Sequence, residues 1–220
     1  MFSDFKYKTP LKSTLHGRYI EHLSLLMLRH SFDGYSDFDV SDKPDLVSVD
    51  GKCGIEVTEA IVPEIAHIKG EFTKLKFGKK DDNEKNKCID KIKLSGGKID
   101  DLGVSFPAVN SNDEWNAILN VLSKKLKLLP TYKSKGFVKM GLFIMFNEPP
   151  IPFNVSDSLL KLSDFQKDFE EKYDCLFLGY HYGVICYDFK AMSCTVNVIE
   201  EKHFQEMSVS ARDIVESKYW

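Results

Sequence analysis

The stretch Lys43-Pro44-Asp45-Leu46-Val47-Ser48-Val49-Asp50-Gly51-Lys52-Cys53-Gly54-Ile55-Glu56-Val57-Thr58 constrains the fold more than any other. Two short β-prone runs flank Asp50-Gly51, a pairing that marks a two-residue hairpin turn because such turns require φ > 0. With Asp50 and Gly51 as the whole turn, Val49 faces Lys52 and the pairing runs back until Asp45 lies opposite Glu56. Side chains alternate along a strand, so Asp45, Val47, Gly54, Glu56 and Thr58 share one face. Directly opposed like charges weaken a sheet. Two carboxylates held there point to a hard cation between them, with oxygen ligands of the kind Mg²⁺ takes. A bulged three-residue loop would shift the register and part the two acids. The plainer alternatives are a Pro-Asp turn at a strand start for Asp45 and a solvent-facing edge position for Glu56. Burial of the Cys53-Gly54-Ile55-Glu56-Val57-Thr58 run argues against the second, since carboxylates are seldom buried unless paired or bound to metal.

The flanking segments predict a mixed α/β order. Ser13 or Thr14 is placed to cap a helix reaching His30, with Tyr19, Leu23, Leu26, Met27 and His30 on one stripe. A short strand at 38–40 precedes the hairpin, and Pro63 suits the first turn of a helix running to Phe77. Residues 78–113 are polar and broken by Ser95-Gly96-Gly97, which predicts an insertion or mobile lobe with a short helix at 84–94. Asp113 caps a helix carrying Trp115, Ile118, Leu119, Leu122, Leu126 and Leu129 at helical spacing, with Lys124, Lys125 and Lys127 outward and Pro130 ending it. Val138–Phe146 is almost continuously apolar, the mark of a strand buried on both faces. A rigid proline-rich loop follows at 147–152. Then come a helix at 157–173, strands near 175–179, 183–189 and 194–199, and a last helix at 203–218.

Composition excludes several classes of protein. Hydrophobic residues make up 43% and charged residues 29%, as in globular chains. No apolar run approaches the roughly 20 residues that span a bilayer. Met1–Lys6 has no apolar stretch behind its charges, so a signal peptide is not expected and the cytoplasm is. The five cysteines and six histidines show neither C-x-x-C nor H-E-x-x-H spacing, which leaves a disulfide framework or a zinc hydrolase without support.

Charge is unevenly spread. Between Lys69 and Asn147 there are 16 lysines against 9 acidic residues, and none of the acids follows Glu114. A basic middle of this kind suits a surface that tracks phosphates, or a solvated helix face with lysine-rich loops. Tyr180, His181, Tyr182 and Tyr187 suit either base stacking or cross-strand packing.

A helix, a hairpin with Pro44-Asp45 on one strand and Gly54-Ile55-Glu56-Val57-Thr58 on the next, then a helix and a buried strand, with Glu21 in the first helix, resembles the PD-(D/E)XK (restriction-endonuclease-like) nuclease superfamily across residues 14–146. The resemblance implies one domain over 1–220, with a restriction-endonuclease-like core, the polar insertion at 78–113 and a C-terminal α+β extension at 150–220. It implies a Mg²⁺- or Mn²⁺-dependent nuclease acting on phosphodiesters, with DNA the expected polymer. Asp45 and Glu56 would hold metal with the carbonyl of Val57, assisted by Glu21. The lysines of 69–139 would hold the nucleic acid backbone, no membrane partner is expected, and a homodimer would cut both strands. The chain departs from the pattern at Thr58, where the family carries lysine. Threonine can position a water but supplies no positive charge, so a lysine from elsewhere, with Lys69 as candidate, would have to replace it. Otherwise the domain is a catalytically inactive relative that binds nucleic acid or a protein.

Overall fold

The computed structural model describes residues 10–78, 81–146 and 154–219. The 147–152 loop and the first nine residues lie outside that range, and so do the expectations that fall on them. Helix α1 (Ser13–Ser31) leads into an antiparallel meander, β1 (Phe38–Val40), β2 (Leu46–Ser48) and β3 (Cys53–Glu59). Then come α2 (Pro63–Phe77), α3 (Asp82–Leu94), a two-stranded ribbon of β4 (Lys98–Asp100) and β5 (Gly103–Ser105), α4 (Ser111–Leu126) and α5 (Leu129–Ser134). Strand β6 (Lys139–Met145) follows, then α6 (Val155–Gln166), β7 (Cys175–Tyr180), β8 (Gly183–Asp188), β9 (Ser193–Val198) and α7 (Glu201–Tyr219). The class is mixed α/β. Ser13 opens α1 as a helical residue, with Lys12 rather than a hydroxyl at the cap.

One seven-stranded sheet, ordered β1-β2-β3-β6-β7-β8-β9, organises the chain. Strand β6 lies at its centre and runs parallel to both β3 and β7; the other pairs are antiparallel. Its apolar run is divided between two cores, as alternation dictates. Met140, Leu142 and Ile144 join Ile118, Leu122 and Leu126 of α4 and Leu159 and Leu162 of α6 on one face. Phe143 and Met145 join Ile20, Leu23, Met27 and Leu28 of α1 and Ala211 of α7 on the other. Each fully buried aliphatic or phenylalanine contributes about 1.5–3 kcal/mol of transfer free energy. The segment expected as a C-terminal extension therefore supplies three strands of the main sheet.

The polar segment 78–113 contains more structure than its composition suggests. Ile92 of α3 and Val104 of β5 close on Ile68 and Phe72 of α2, all four at most 1% exposed. Glu71, almost fully buried in α2, takes Lys74 at 2.6 Å and Lys91 of α3 at 3.8 Å. Few apolar residues suffice because both helices contribute to one small core.

The hairpin keeps the expected register by a different turn. Leu46 pairs with Ile55 and Val47 with Gly54. Gly51 has φ +70°, but Asp50 stays out of the left-handed region, and Gly51 N–H donates to the Ser48 carbonyl at 2.8 Å. Ser48 Oγ accepts from Cys53 N–H at 3.0 Å and donates to Asp50 at 2.7 Å. The loop thus has four residues, 49–52, rather than two. Adding one residue to each side preserves parity, so every side chain stays on its face. Among the described residues no helix is long and apolar enough to cross a membrane.

Candidate active site

Pro44 and Gly54 shape the approach to the two acids. A Cβ on Gly54 would lie 2.4 Å from Pro44 Cγ and 2.9 Å from Met140 Sδ, so only glycine lets the buried proline ring pack on β3. This packing sets the chain direction at Asp45, one residue before β2. One step beyond the Leu46–Ile55 pair, Asp45 stands opposite Glu56. Asp45 Oδ2 accepts the Val57 N–H at 2.7 Å, and Pro44 has no N–H to offer the Val57 carbonyl, which points to the same side of the strand. Burial, and then the charge of Glu56, push the Asp45 carboxyl up to about 6; the Val57 N–H and Lys125 pull the other way.

Glu56 is 2% exposed and would be costly to ionise alone. Lys125 Nζ of α4 donates to Glu56 Oε2 at 2.5 Å, and buried Tyr132 of α5 lies close enough for the Glu56 charge to act on its phenol. Tyr173 O–H donates to the Lys125 backbone carbonyl at 3.2 Å. Burial, and then the nearby Glu56 charge, lift the phenols of Tyr132 and Tyr173 far above the ordinary tyrosine range. Both hydroxyls therefore remain donors.

The expected site residues separate into two groups. Asp45, Glu56 and the Val57 backbone come together, and half-buried Thr58 follows on the Glu56 face of β3. Glu21 is bound to Arg18 at 2.8 Å, and Arg18 also reaches Asp42 and the Ser41 carbonyl. Burial raises the Glu21 carboxyl, Arg18 opposes, and the charges of Asp42 and Glu56 add to the rise. Glu21 is thus within electrostatic reach of the pair. Among the described residues, however, no three His, Cys, Asp or Glu side chains are grouped to hold a metal ion.

Lys69 does not fill the place left by Thr58. It lies 3.9 Å from Glu59, and Glu59, with His16 at 2.5 Å, faces away from Glu56 because three residues along a strand reverse the side. Burial lowers the Lys69 pKa, with Glu59 opposing. The lysine at the acids is Lys125, assigned from sequence to an outward helix face. Its position is legible after the fact. Ile118, Leu122, Lys125 and Leu129 follow the 4-3-4 spacing of a buried stripe, while Lys124 and Lys127 are exposed. Tyr132 carries no comparable signal. The aromatic group at 180–187 is mostly packing: Tyr187 is fully buried and Tyr180 lies 5.7 Å from the Phe146 ring.

Compared with known proteins, the chain matches no family model, no curated protein and no solved structure. What the site can do must be read from its own chemistry. A half-buried and a buried carboxylate lie together with one ammonium and a strand carbonyl. Oxygen donors of this kind are the ones a hard cation takes, and an ammonium is a group that an anion pairs with.

Proposed function

We propose that this protein is a Mg²⁺- or Mn²⁺-dependent nuclease that hydrolyses phosphodiester bonds, with DNA as the expected polymer. The observation that carries the reading is Lys125 Nζ at 2.5 Å from Glu56, beside Asp45. It supplies the positive charge that Thr58 lacks. The order α1-β1-β2-β3, then helices, then β6 parallel to β3, agrees with a restriction-endonuclease-like core.

The residues fit a divalent ion. Asp45, Glu56 and the Val57 carbonyl offer only oxygen, and Mg²⁺ characteristically uses one or two carboxylates while retaining several waters. The raised Asp45 carboxyl reflects surplus negative charge in a desolvated place, which a cation relieves. Bound there, the ion would acidify a coordinated water and neutralise charge on the phosphate. Lys125 would hold the charge that develops on the phosphate oxygens, Thr58 would orient a water through its hydroxyl, and exposed Lys124 and Lys127 would follow the backbone.

Cleavage of labelled DNA and RNA with Mg²⁺ or Mn²⁺, comparing wild type with Asp45→Ala, Glu56→Ala and Lys125→Ala, tests the proposal. Loss of about 10²–10³ in rate for Lys125→Ala is expected from removing one charged stabiliser, with turnover abolished in the other two. Equal rates in all four proteins would remove the assignment. Salt-sensitive binding without metal-dependent turnover would assign the inactive, binding-only role.

A further inference from the structure

We propose that the open edge of β9 is a self-association surface, through which two copies of this chain pair antiparallel about a two-fold axis to make one continuous sheet. The inference stands apart from the nuclease reading. It rests on how differently the two edges of the sheet are finished.

An edge strand presents unpaired N–H and C=O groups, and proteins blunt such edges with short strands, charges or a covering group. Strand β1 is finished in all three ways. It has three residues, includes Asp39, and its Phe38 carbonyl accepts Arg29 Nη2 at 2.6 Å. Strand β9 has none of these. Its six residues include no charge and no proline, and among the described residues no strand lies beyond it. Ile199 N–H donates to the Tyr182 carbonyl at 2.9 Å, in the register that pairs Val198 with Gly183. Hydrogen-bonded and non-hydrogen-bonded pairs alternate along an antiparallel ladder, so Thr195 and Asn197 turn their backbone groups to β8. Cys194, Val196 and Val198 turn theirs outward.

The side chains beside those outward groups are apolar. Val196 and Val198 are 45% and 76% exposed and lie on the α6 face, since Val196 pairs with Ile185 of that core. Exposed Met192 lies with its Sδ 3.9 Å from Ser163 Oγ of α6, and exposed Leu160 sits one turn earlier on that helix. An apolar strip along an open strand edge suits the addition of another strand.

Symmetry identifies that strand. A two-fold axis normal to the sheet keeps each face on its own side, so residues of equal parity oppose each other. With Val196 on the axis, Cys194 faces Val198 of the second copy, and the outward residues exchange about six main-chain hydrogen bonds. No charge is buried. The same arrangement carries the β8–β9 turn, with exposed Lys190, toward exposed Glu200 and Glu201 of the second copy. Lys202 beside them is already engaged by Glu206 at 3.8 Å. Opposite charges thus flank an uncharged strand at both ends, a complementarity that only the antiparallel pairing provides.

Sedimentation velocity of the full chain from dilute to concentrated solution, with hydrogen exchange at the two extremes, tests the proposal. A reversible dimer is expected, with the amides of Cys194, Val196 and Val198 protected in the dimer and open in the monomer. Val196→Lys sets two ammonium groups against each other on the axis and is expected to weaken dimerisation by more than about 100-fold. Val198→Lys, at a more exposed position, is expected to act in the same direction and keeps the test intact should the first variant fail to fold. Val209→Lys, on the exposed side of α7, is expected to dimerise as wild type does. A monomer at every concentration overturns the proposal and leaves the edge to a strand from another protein. A dimer that survives both β9 variants, without protection of the three amides, overturns it as well.

Discussion

Lys125 Nζ and Glu56 Oε2 meet at 2.5 Å from positions 69 residues apart in the chain, one on a helix of the α4–α6 layer and the other on the central sheet. Glu56 is nearly inaccessible and Lys125 partly so, so each partner depends on the other. Removing one leaves an uncompensated buried charge, which typically costs about 3–5 kcal/mol. Lys125→Met is therefore expected to lower stability by that amount in urea denaturation at pH 7.5. The double variant Glu56→Gln/Lys125→Met is expected to recover much of the loss, because no charge is then left without a partner. Additive losses would mean that the two side chains are not coupled.

Asp45 gives the site a pH signature in metal-free protein. Its folded-state pKa is raised to about 6 from an ordinary 3.8, so between these values the folded chain binds a proton that the unfolded chain does not. Its contribution to stability is present below about pH 4 and is lost as pH rises through 6. Asp45→Asn is expected to be more stable than wild type at pH 7.5 with chelator present, and the advantage is expected to vanish by pH 4. Melting temperatures from pH 4 to 8 check this. A difference independent of pH would show that Asp45 is not desolvated.

Gly54 controls Asp45 through Pro44. Gly54→Ala places a Cβ 2.4 Å from Pro44 Cγ and 2.9 Å from Met140 Sδ, an overlap that typically costs about 1–3 kcal/mol. The ring has to move, and Asp45 moves with it. Metal-dependent cleavage is expected to fall by more than tenfold under conditions where circular dichroism shows the variant fully folded. Unchanged cleavage would indicate that the strand yields instead of the proline.

The small core of α2, α3, β4 and β5 is open to an independent test. Ile92 is fully buried there, and Ile92→Ala is expected to cost about 2–5 kcal/mol. Limited proteolysis is expected to cut between residues 81 and 105 well before the main sheet is attacked. Protection equal to wild type would show that the lobe is held by its charges, Glu71 with Lys74 and Lys91.

Features that depend only on neighbours in the chain are legible from local pattern. The apolar spacing of α1 and α4, the unbroken run of β6 and the parity of the β2–β3 hairpin are local patterns, and the structure shows each within a few residues of where it was expected. The hairpin has the same faces with either turn, because a four-residue loop and a two-residue loop leave the same side chains on the same side. Tertiary structure alone decided which lysine meets the acids. A strand reverses its side chains at every residue, so Lys69 approaching the Glu59 side could never reach Glu56. A helix packed on the other face delivered Lys125 from a position that local polarity had marked as solvent. Sequence predicts which face a residue occupies; the packing of distant elements decides what that face meets.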